Sequence, residues 1–206
     1  MENKNKEKAI EYESGLVKSF DFVLREAEEL YEGHGRLRET FERLARCLEY
    51  VGVSYSLVGG YALILHGVRR FTEDIDLLVS NEGLAKIHKE LIGKGYIRVA
   101  PESRNLRDAE TGVQIEFLVT GQFPGDGKPK PVAFPDPRAV MEKHEGIKVV
   151  NLKSLIELKL ASGMTSKERL QDLADVQRLI KVHHLTTTFA QKLHPYVRDK
   201  FLELLS

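Results

Sequence analysis

Two aspartates one residue apart are the feature of this sequence best suited to chemistry. Asp74 and Asp76 begin the run Asp-Ile-Asp-Leu-Leu-Val, whose aliphatic residues predict a strand over 74–79. Alternate side chains of a strand share a face, so the two carboxylates would lie about 6–7 Å apart and repel each other when ionised. A divalent cation would remove that repulsion, and oxygen ligands suit Mg²⁺ or Mn²⁺. The alternative is a strand end with two solvated acids.

A glycine pair precedes the aspartates. Gly59-Gly60 separates the run 51–58, predicted as a buried strand, from the apolar segment 61–66, predicted as a short helix. Free backbone N–H groups at such a turn, with the positive end of a helix dipole, favour phosphate, and glycine permits close approach. The pair matches neither the dinucleotide pattern Gly-x-Gly-x-x-Gly nor the Walker pattern. A simple chain reversal is the alternative.

A third acid lies in a later apolar segment. Glu116 is flanked by apolar residues in the run 113–119, which is predicted as a strand. Buried acids are rare unless they are paired or bound to a metal, although Glu116 could instead point to solvent beside Gln114. If this strand pairs with the strand over 74–79, three carboxylates converge. Three such acids form the ligand set of a two-metal site.

The order of these motifs resembles the nucleotidyltransferase superfamily, which has the polymerase β-like fold. The similarity is carried by Gly-Gly-x-Ala at 59–62, Arg-x-Thr-x-Asp-x-Asp-Leu at 70–77, the later strand acid, and the segment 155–176. The second motif is similar to that of small bacterial members, including those of abortive-infection and toxin–antitoxin systems. The resemblance implies an α+β fold: a small mixed β-sheet nucleotidyltransferase core with N-terminal helices and a C-terminal helical region.

The resemblance also implies a role for each motif residue. Asp74, Asp76 and Glu116 would be catalytic and would bind Mg²⁺ or Mn²⁺. The residues implied to bind the nucleotide are Gly59, Gly60, Arg70, Thr72 and Lys159. The implied reaction transfers a nucleoside monophosphate from an NTP to an acceptor hydroxyl and releases pyrophosphate. The acceptor could be tRNA, a protein or a small molecule, and the sequence selects none of them.

Two positions depart from the commonest family pattern. Gly60 stands where serine is usual, which removes a hydroxyl, and Glu116 stands where the polymerases have aspartate. The longer glutamate could displace a general base. A second function therefore stays open, a non-catalytic binding or regulatory protein of the same fold, either antitoxin-like or a scaffold. A third is a glycosyltransferase that uses Asp-x-Asp, for which 206 residues leave little room for an acceptor domain.

Three predicted units position these residues: an N-terminal helical extension over 1–50, a nucleotidyltransferase α/β core over 51–150 and a C-terminal helical region over 151–206. Within the core we predict a polar turn over 102–112 and a surface loop over 121–137, which holds five of the seven prolines. Further segments are predicted as a helix over 84–91 and as strands over 96–99 and 147–150. Helices are predicted over 152–162, 166–182 and 189–205, the last interrupted near Pro195.

Weaker candidates lie outside the motifs. Asp172 and Asp175, at helical spacing, are predicted to pair with Arg169 or Lys167. His66 ends the apolar segment 61–66; it could line the site, but its position is more typical of a core or capping histidine. The pair at 183–184 is predicted to end a helix, where a positive charge suits the dipole.

Composition limits the protein's class. The 31 basic and 31 acidic residues cancel, which argues against extensive contact with long nucleic acids but allows a triphosphate held by metals and nearby cations. The single cysteine, Cys47, excludes a disulfide framework. A polar N-terminus and the lack of an apolar run of about 20 residues predict a cytoplasmic protein without a membrane segment. The apolar stripes of the terminal helices are expected to be core or a docking surface for a partner protein.

Overall fold

Two helices open the part of the chain that the structure, a computed structural model, describes, which is residues 20–31 and 35–205. They are α1 (Phe20–Tyr31) and α2 (Arg36–Tyr50). The buried side chains of α2 include Leu37, Phe41 and Leu44, which recur at three- and four-residue spacing. This apolar stripe packs α2 against the central core.

A mixed seven-stranded sheet forms the centre of the molecule. Its strands are β1 (Tyr55–Val58), β2 (Asp74–Val79), β3 (Tyr96–Arg98), β4 (Leu106–Asp108), β5 (Gln114–Val119), β6 (Met141–His144) and β7 (Ile147–Val150). Their spatial order is β3-β4-β5-β2-β1-β7-β6. β2 runs parallel to β5 and β1 to β7, and the other neighbours are antiparallel. This architecture confirms the predicted α+β class with a mixed sheet.

The two faces of the central strands differ in polarity. On β2 and β5, Ile75, Leu77 and Phe117 are fully buried. The residues between them, which include Asp76 and Glu116, remain partly accessible. Because side chains alternate across a strand, one face of the sheet forms the core while the other presents acids.

Helices follow the strands along the chain. They are α3 (Gly59–Leu65), α4 (Asn81–Leu91), α5 (Pro137–Val140), α6 (Leu152–Gly163), α7 (Leu170–Val182), α8 (Thr187–Ala190) and α9 (Pro195–Leu205). α6 is buried over most of its length and begins at an N-cap in which Asn151 accepts a hydrogen bond from the Ser154 amide at 2.9 Å. Such a helix has apolar neighbours on several sides, here α7 and α9.

Several elements differ from the sequence predictions. The strand predicted over 51–58 begins only at Tyr55, because α2 continues to Tyr50 and the chain then turns through Gly52 at a φ of +67°. The polar turn predicted over 102–112 contains β4, whose buried Arg107 donates a 2.6 Å hydrogen bond to the Gly112 carbonyl. β6 was not predicted either, since its sequence Met-Glu-Lys-His has no apolar alternation and backbone pairing with β7 holds it.

The C-terminal predictions were also refined. The helix predicted over 166–182 begins as a 3₁₀ turn, Lys167–Arg169, before α7. The tail helix, predicted with an interruption near Pro195, is present as α8 and α9, with Pro195 as the first residue of α9, a position that proline tolerates. Over the ranges 20–31 and 35–205, no helix is both long and apolar enough to cross a bilayer. The division into units at residues 50 and 150 stays a prediction.

Candidate active site

Three acids meet on the accessible face of the sheet. β2 and β5 pair in a parallel register that places Asp76 opposite Glu116 and Asp74 opposite Gln114. The strand pairing on which the three-acid prediction depended is therefore present, and neighbouring strands lie about 4.8 Å apart. We call Asp74, Asp76 and Glu116 the acid triad. It lines a cleft of about 860 Å³.

The surroundings of Asp76 in the acid triad disfavour its ionised form. Burial, followed by the charges of Glu116 and Asp74, raises the pKa of Asp76 to about 7, although Lys159 and a hydrogen bond from the Gly60 backbone act in the opposite direction. The Gln114 side chain donates to Glu116 Oε1 at 2.9 Å, which holds that carboxylate in the cleft. Oxygen donors whose negative charges are crowded together fit a divalent cation, so the residues present suit Mg²⁺ or Mn²⁺.

The glycine turn touches the triad directly. Gly59 has a φ of +65°, a conformation that residues with a Cβ rarely adopt. A Cβ at Gly59 would lie 1.8 Å from Asp76 Oδ2, so the close approach also requires glycine. The N–H groups of this turn were predicted to be open to phosphate. The Gly60 amide instead serves Asp76, so the turn supports the acid as well as the cleft.

The side chain of Thr72 occupies the space beside Gly60. A Cβ at Gly60 would lie 2.5 Å from Thr72 Oγ1 and 2.8 Å from Thr72 Cβ, which is closer than real Cβ contacts. The serine that is usual at this position in the resembling family would therefore not fit without movement of Thr72. The Thr72 hydroxyl lies at the place where such a serine side chain would begin, and Thr72 lines the cleft.

Four charged residues meet where Arg70 approaches α6 and α7; Arg70, Lys159 and Asp172 line the cleft, and Asp175 is fully buried. Lys159 Nζ lies 2.9 Å from both Asp172 Oδ1 and Asp175 Oδ2, and Arg70 Nη1 binds Asp175 Oδ2. We call Arg70, Lys159, Asp172 and Asp175 the four-charge cluster. Burial tends to raise the pKa of Asp172, but Lys159 and a hydrogen bond from Ser162, helped by Lys159's own bond and Arg169, bring it below its usual value.

The four-charge cluster corrects two expectations. The predicted ion pairs of Asp172 and Asp175 with Lys167 or Arg169 are wrong, since their direct partners are Lys159 and Arg70, although Arg169 contributes to the field at Asp172. The sequence predicted that Lys159 projects from its helix towards the nucleotide. Lys159 is buried and ion-paired, yet it lines the cleft, and its nucleotide-binding role stays a prediction.

The sequence analysis missed the mouth of the cleft. Arg104 and Arg169 line the cleft and are exposed, and the proline-rich loop contributes Gln122 and Phe123. The Arg104 guanidinium donates to the Gln122 side chain, which joins the turn before β4 to that loop. Isolated arginines in polar segments carry no pattern of their own. Only the clustering of basic residues around a cleft could have identified them.

His66 lies at the far end of α3 from the glycine turn. It is buried, and its Nε2 donates to the Val150 carbonyl at 2.8 Å, in agreement with the core or capping histidine that the sequence predicted. Burial lowers the pKa of His66 despite that hydrogen bond and the nearby Glu142. This ring is not part of the cleft lining.

The fold is shared with solved nucleotidyltransferases, although the sequence matches no protein-family model and no curated protein. ANT(2″)-Ia, solved in complex with adenylyl-2″-tobramycin, superposes with a TM-score of 0.50 at 10% identity, over 81% of this chain and 99% of that one. A Thermotoga maritima protein described as a candidate nucleotidyltransferase gives a TM-score of 0.45 at 22% identity, over 68% and 95%. An antigenic nucleotidyltransferase-like protein from Paracoccidioides brasiliensis gives a TM-score of 0.44 at 15% identity, over 79% of this chain and 88% of that one. The chain has a nucleotidyltransferase fold, as its motifs predicted.

Proposed function

We propose that the protein is a metal-dependent nucleotidyltransferase. It transfers a nucleoside monophosphate from an NTP to a hydroxyl of an acceptor and releases pyrophosphate. The observation that supports this most directly is the parallel register of β2 and β5, which sets Asp76 opposite Glu116 beside the Gly59 turn. The crowding of acids there, which raises the pKa of Asp76, favours a cation-assisted reaction of an anionic substrate.

The acid triad would hold the metal. Asp74, Asp76 and Glu116 supply the carboxylate oxygens, and the raised pKa of Asp76 reflects the repulsion that a cation relieves. Bound Mg²⁺ or Mn²⁺ would supply Lewis-acid stabilisation of the triphosphate and of the acceptor oxygen. The chain's own contribution is to fix the acids on two rigid central strands, where their spacing does not depend on a loop.

The reaction needs a base and a held phosphate chain. Glu116 would accept the proton of the acceptor hydroxyl as the new oxygen–phosphorus bond forms to the α-phosphate. The bond between the α-phosphorus and its bridging oxygen breaks, and pyrophosphate leaves with that electron pair. Thr72 would donate a hydrogen bond to a phosphate oxygen, and Arg104 and Arg169 at the mouth of the cleft would pair with the phosphates.

The acceptor is proposed only as a compound with a nucleophilic hydroxyl. The cleft is open to solvent beside the proline-rich loop, which gives an acceptor a route to the acid triad. The acceptors to test are tRNA, protein and small molecules. Aminoglycosides belong in the small-molecule panel because the ANT(2″)-Ia complex has this fold.

A direct assay tests the proposal. The full chain is incubated with Mg²⁺ and each of four α-labelled NTPs, together with the acceptor panel, and pyrophosphate release and label transfer are measured. We expect transfer that requires Mg²⁺ or Mn²⁺ and is lost in the double variant Asp74→Asn/Asp76→Asn. Asp199→Asn, an exposed position on α9, is the control with an unchanged rate. Turnover that survives in the double variant would overturn the assignment of the acid triad.

A second function has one observation in its favour. Lys159 and Arg70 each form ion pairs with Asp175, so two of the cations that line the cleft are already paired within the protein. That arrangement would suit a non-catalytic binding or regulatory protein that holds a nucleotide weakly. Calorimetric binding of Mg²⁺ and NTP, without pyrophosphate release over the whole acceptor panel, is the outcome that supports it.

A further inference from the structure

Residues typical of a transition-metal site lie at the opposite end of α3 from the acid triad. His66, Glu142 and His144 each present one ligand atom, and these three atoms all lie within 4.8 Å of one another. Glu142 Oε1 lies 2.8 Å from His144 Nε2 and 3.9 Å from His66 Nε2. We call these residues the histidine cluster. It joins the end of α3 to the edge strand β6.

Both ring nitrogens of His144 face acceptors. Its Nδ1 lies 3.1 Å from the Leu65 carbonyl, and its Nε2 lies 2.8 Å from Glu142 Oε1. A carbonyl oxygen can only accept, so Nδ1 carries a proton. The lone pair of a neutral ring would then lie on Nε2, against a carboxylate oxygen that also carries lone pairs. The contact is favourable only when a second proton or a metal ion lies between Nε2 and Oε1.

The surrounding hydrogen bonds have the pattern of a metal's outer shell. Metal-bound histidines usually donate their other ring N–H to a carbonyl or a carboxylate, which fixes the tautomer and the ring. His144 does so from Nδ1 to Leu65. His66 Nε2, which lies 3.9 Å from Glu142 Oε1, donates to Val150 in the metal-free protein, so an ion bound there would replace that hydrogen bond and release the proton. His183 in turn donates from Nε2 to the His66 carbonyl at 2.8 Å, which steadies the backbone that carries the cluster.

We propose that the histidine cluster binds a divalent transition-metal ion of the Zn²⁺ class, with His66, Glu142 and His144 as three ligands and water as the fourth. Two imidazoles and one carboxylate suit Zn²⁺ and do not suit Mg²⁺, which prefers oxygen ligands. With bonds of about 2.0–2.1 Å, tetrahedral ligand atoms lie about 3.3 Å apart. The distances of 2.8 and 3.9 Å bracket that value, so small side-chain rotations and release of the His66 Nε2 proton would complete the site.

The three proposed ligands differ in burial, which indicates the side from which an ion would enter. The side chain of His66 is 1% exposed, whereas that of Glu142 is 39% exposed. An ion would enter from the β6 side and reach the buried ring last. A bound ion would tie α3 to the edge strand, and α3 begins at the Gly59-Gly60 turn. The histidine cluster would thereby stabilise the helix whose other end supports the acid triad.

Zn²⁺ binding to the untagged full chain tests this proposal. The protein is stripped with EDTA, dialysed into excess Mg²⁺ so that the acid triad is saturated, and titrated calorimetrically with Zn²⁺. A parallel titration with Co²⁺ reports tetrahedral coordination through its visible absorption. We expect one Zn²⁺ per chain, a raised melting temperature, and Zn²⁺ affinity at least about tenfold weaker in His144→Ala and in Glu142→Gln.

Two controls separate the histidine cluster from other sites. His184→Asn changes a neighbouring exposed histidine at a φ of +49°, which asparagine tolerates, and should bind Zn²⁺ as the unmodified chain does. Asp74→Asn/Asp76→Asn should also keep the Zn²⁺ site. Glu142→Gln preserves the side-chain shape, so lost binding in that variant does not reflect misfolding. Zn²⁺ binding that is absent, unchanged in both cluster variants, or lost with the two aspartates would overturn the proposal.

Discussion

The acid triad and the four-charge cluster both adjoin the same cleft, but they differ in charge balance: the cluster pairs acids with cations, whereas the triad places acids next to one another. In the four-charge cluster, Lys159 and Arg70 face Asp172 and Asp175, and the pKa of Asp172 falls below its usual value. In the acid triad, the pKa of Asp76 rises to about 7 through burial and two neighbouring acids. Both regions are rich in ionisable groups, but only one of them gains from an added cation.

This difference shows why the number of charged residues does not identify a binding site. A balanced buried cluster already contains its counter-ions, so removal of one member leaves its partners uncompensated and costs stability. A region with excess charge of one sign is less stable by itself and becomes favourable when a ligand of the opposite sign is present. The balance of charge therefore gives the four-charge cluster a stabilising role, beside the nucleotide-binding roles predicted for Arg70 and Lys159, and favours the acid triad as the cation-binding site.

Replacement of Asp76 gives the largest expected effect. Asp76→Asn removes a carboxylate from the acid triad, so we expect nucleotidyl transfer to fall at least about 100-fold, because loss of outer-shell partners alone costs 10- to 100-fold. The same change relieves like-charge repulsion, so the melting temperature of the metal-free protein should rise. Pyrophosphate release and thermal unfolding in EDTA measure the two effects. A fall in the metal-free melting temperature would contradict the inference that repulsion among its acids destabilises the acid triad.

Replacement of Asp175 should lower the stability of the protein, whereas replacement of Asp76 should raise it in the absence of metal. Asp175 is fully buried, and Asp175→Asn leaves Lys159 and Arg70 without their shared partner. We expect a loss of about 3 kcal/mol in the free energy of unfolding, the lower end for a broken buried pair, because Arg70 keeps some contact with solvent. Urea denaturation measures it, with Asp199→Asn as the exposed control. A loss under about 0.5 kcal/mol would place the cluster among surface ion pairs.

A matched glycine pair tests how closely the turn and the acid triad are joined. Gly59 and Gly93 both have positive φ, at +65° and +79°, but only Gly59 has Asp76 where a Cβ would lie. Replacement by alanine should cost each protein about 1 kcal/mol through backbone strain. Gly59→Ala should in addition weaken Mn²⁺ binding about tenfold, measured by the paramagnetic resonance of free Mn²⁺. Equal Mn²⁺ affinity in the two variants would contradict the inference that the close approach of Gly59 to Asp76 positions this acid for metal binding.

The pH dependence tests the acid triad without a substitution. Asp76 has a pKa of about 7 in the folded protein, against an ordinary value of 3.8. The metal-free folded state therefore binds more protons than the unfolded state between these values, and this group's contribution to stability is lost as the pH rises from about 4 to 7. A cation competes with that proton, so Mn²⁺ affinity should rise with pH up to about 7 and then level off. Asp76→Asn should flatten this component of the profile.

The sequence was informative where chemistry follows local patterns. Alternation within 74–79 and 113–119 predicted two strands with acids on one face, and the structure shows both strands. The register that sets Asp76 opposite Glu116 joins residues 40 positions apart, which no local period specifies. The pairing of Arg70 with Asp175 spans 105 positions, so the role of that aspartate could not be read from its own helix.

The contact between Gly60 and Thr72 has an evolutionary consequence. Because Thr72 fills the space that a side chain at position 60 would need, the two residues cannot vary independently. Introducing serine at position 60 is expected to be harmful while Thr72 is present and tolerable once position 72 is glycine or alanine. The order of substitutions therefore matters: a lineage that exchanges one hydroxyl for the other must first reduce residue 72 and only then enlarge residue 60.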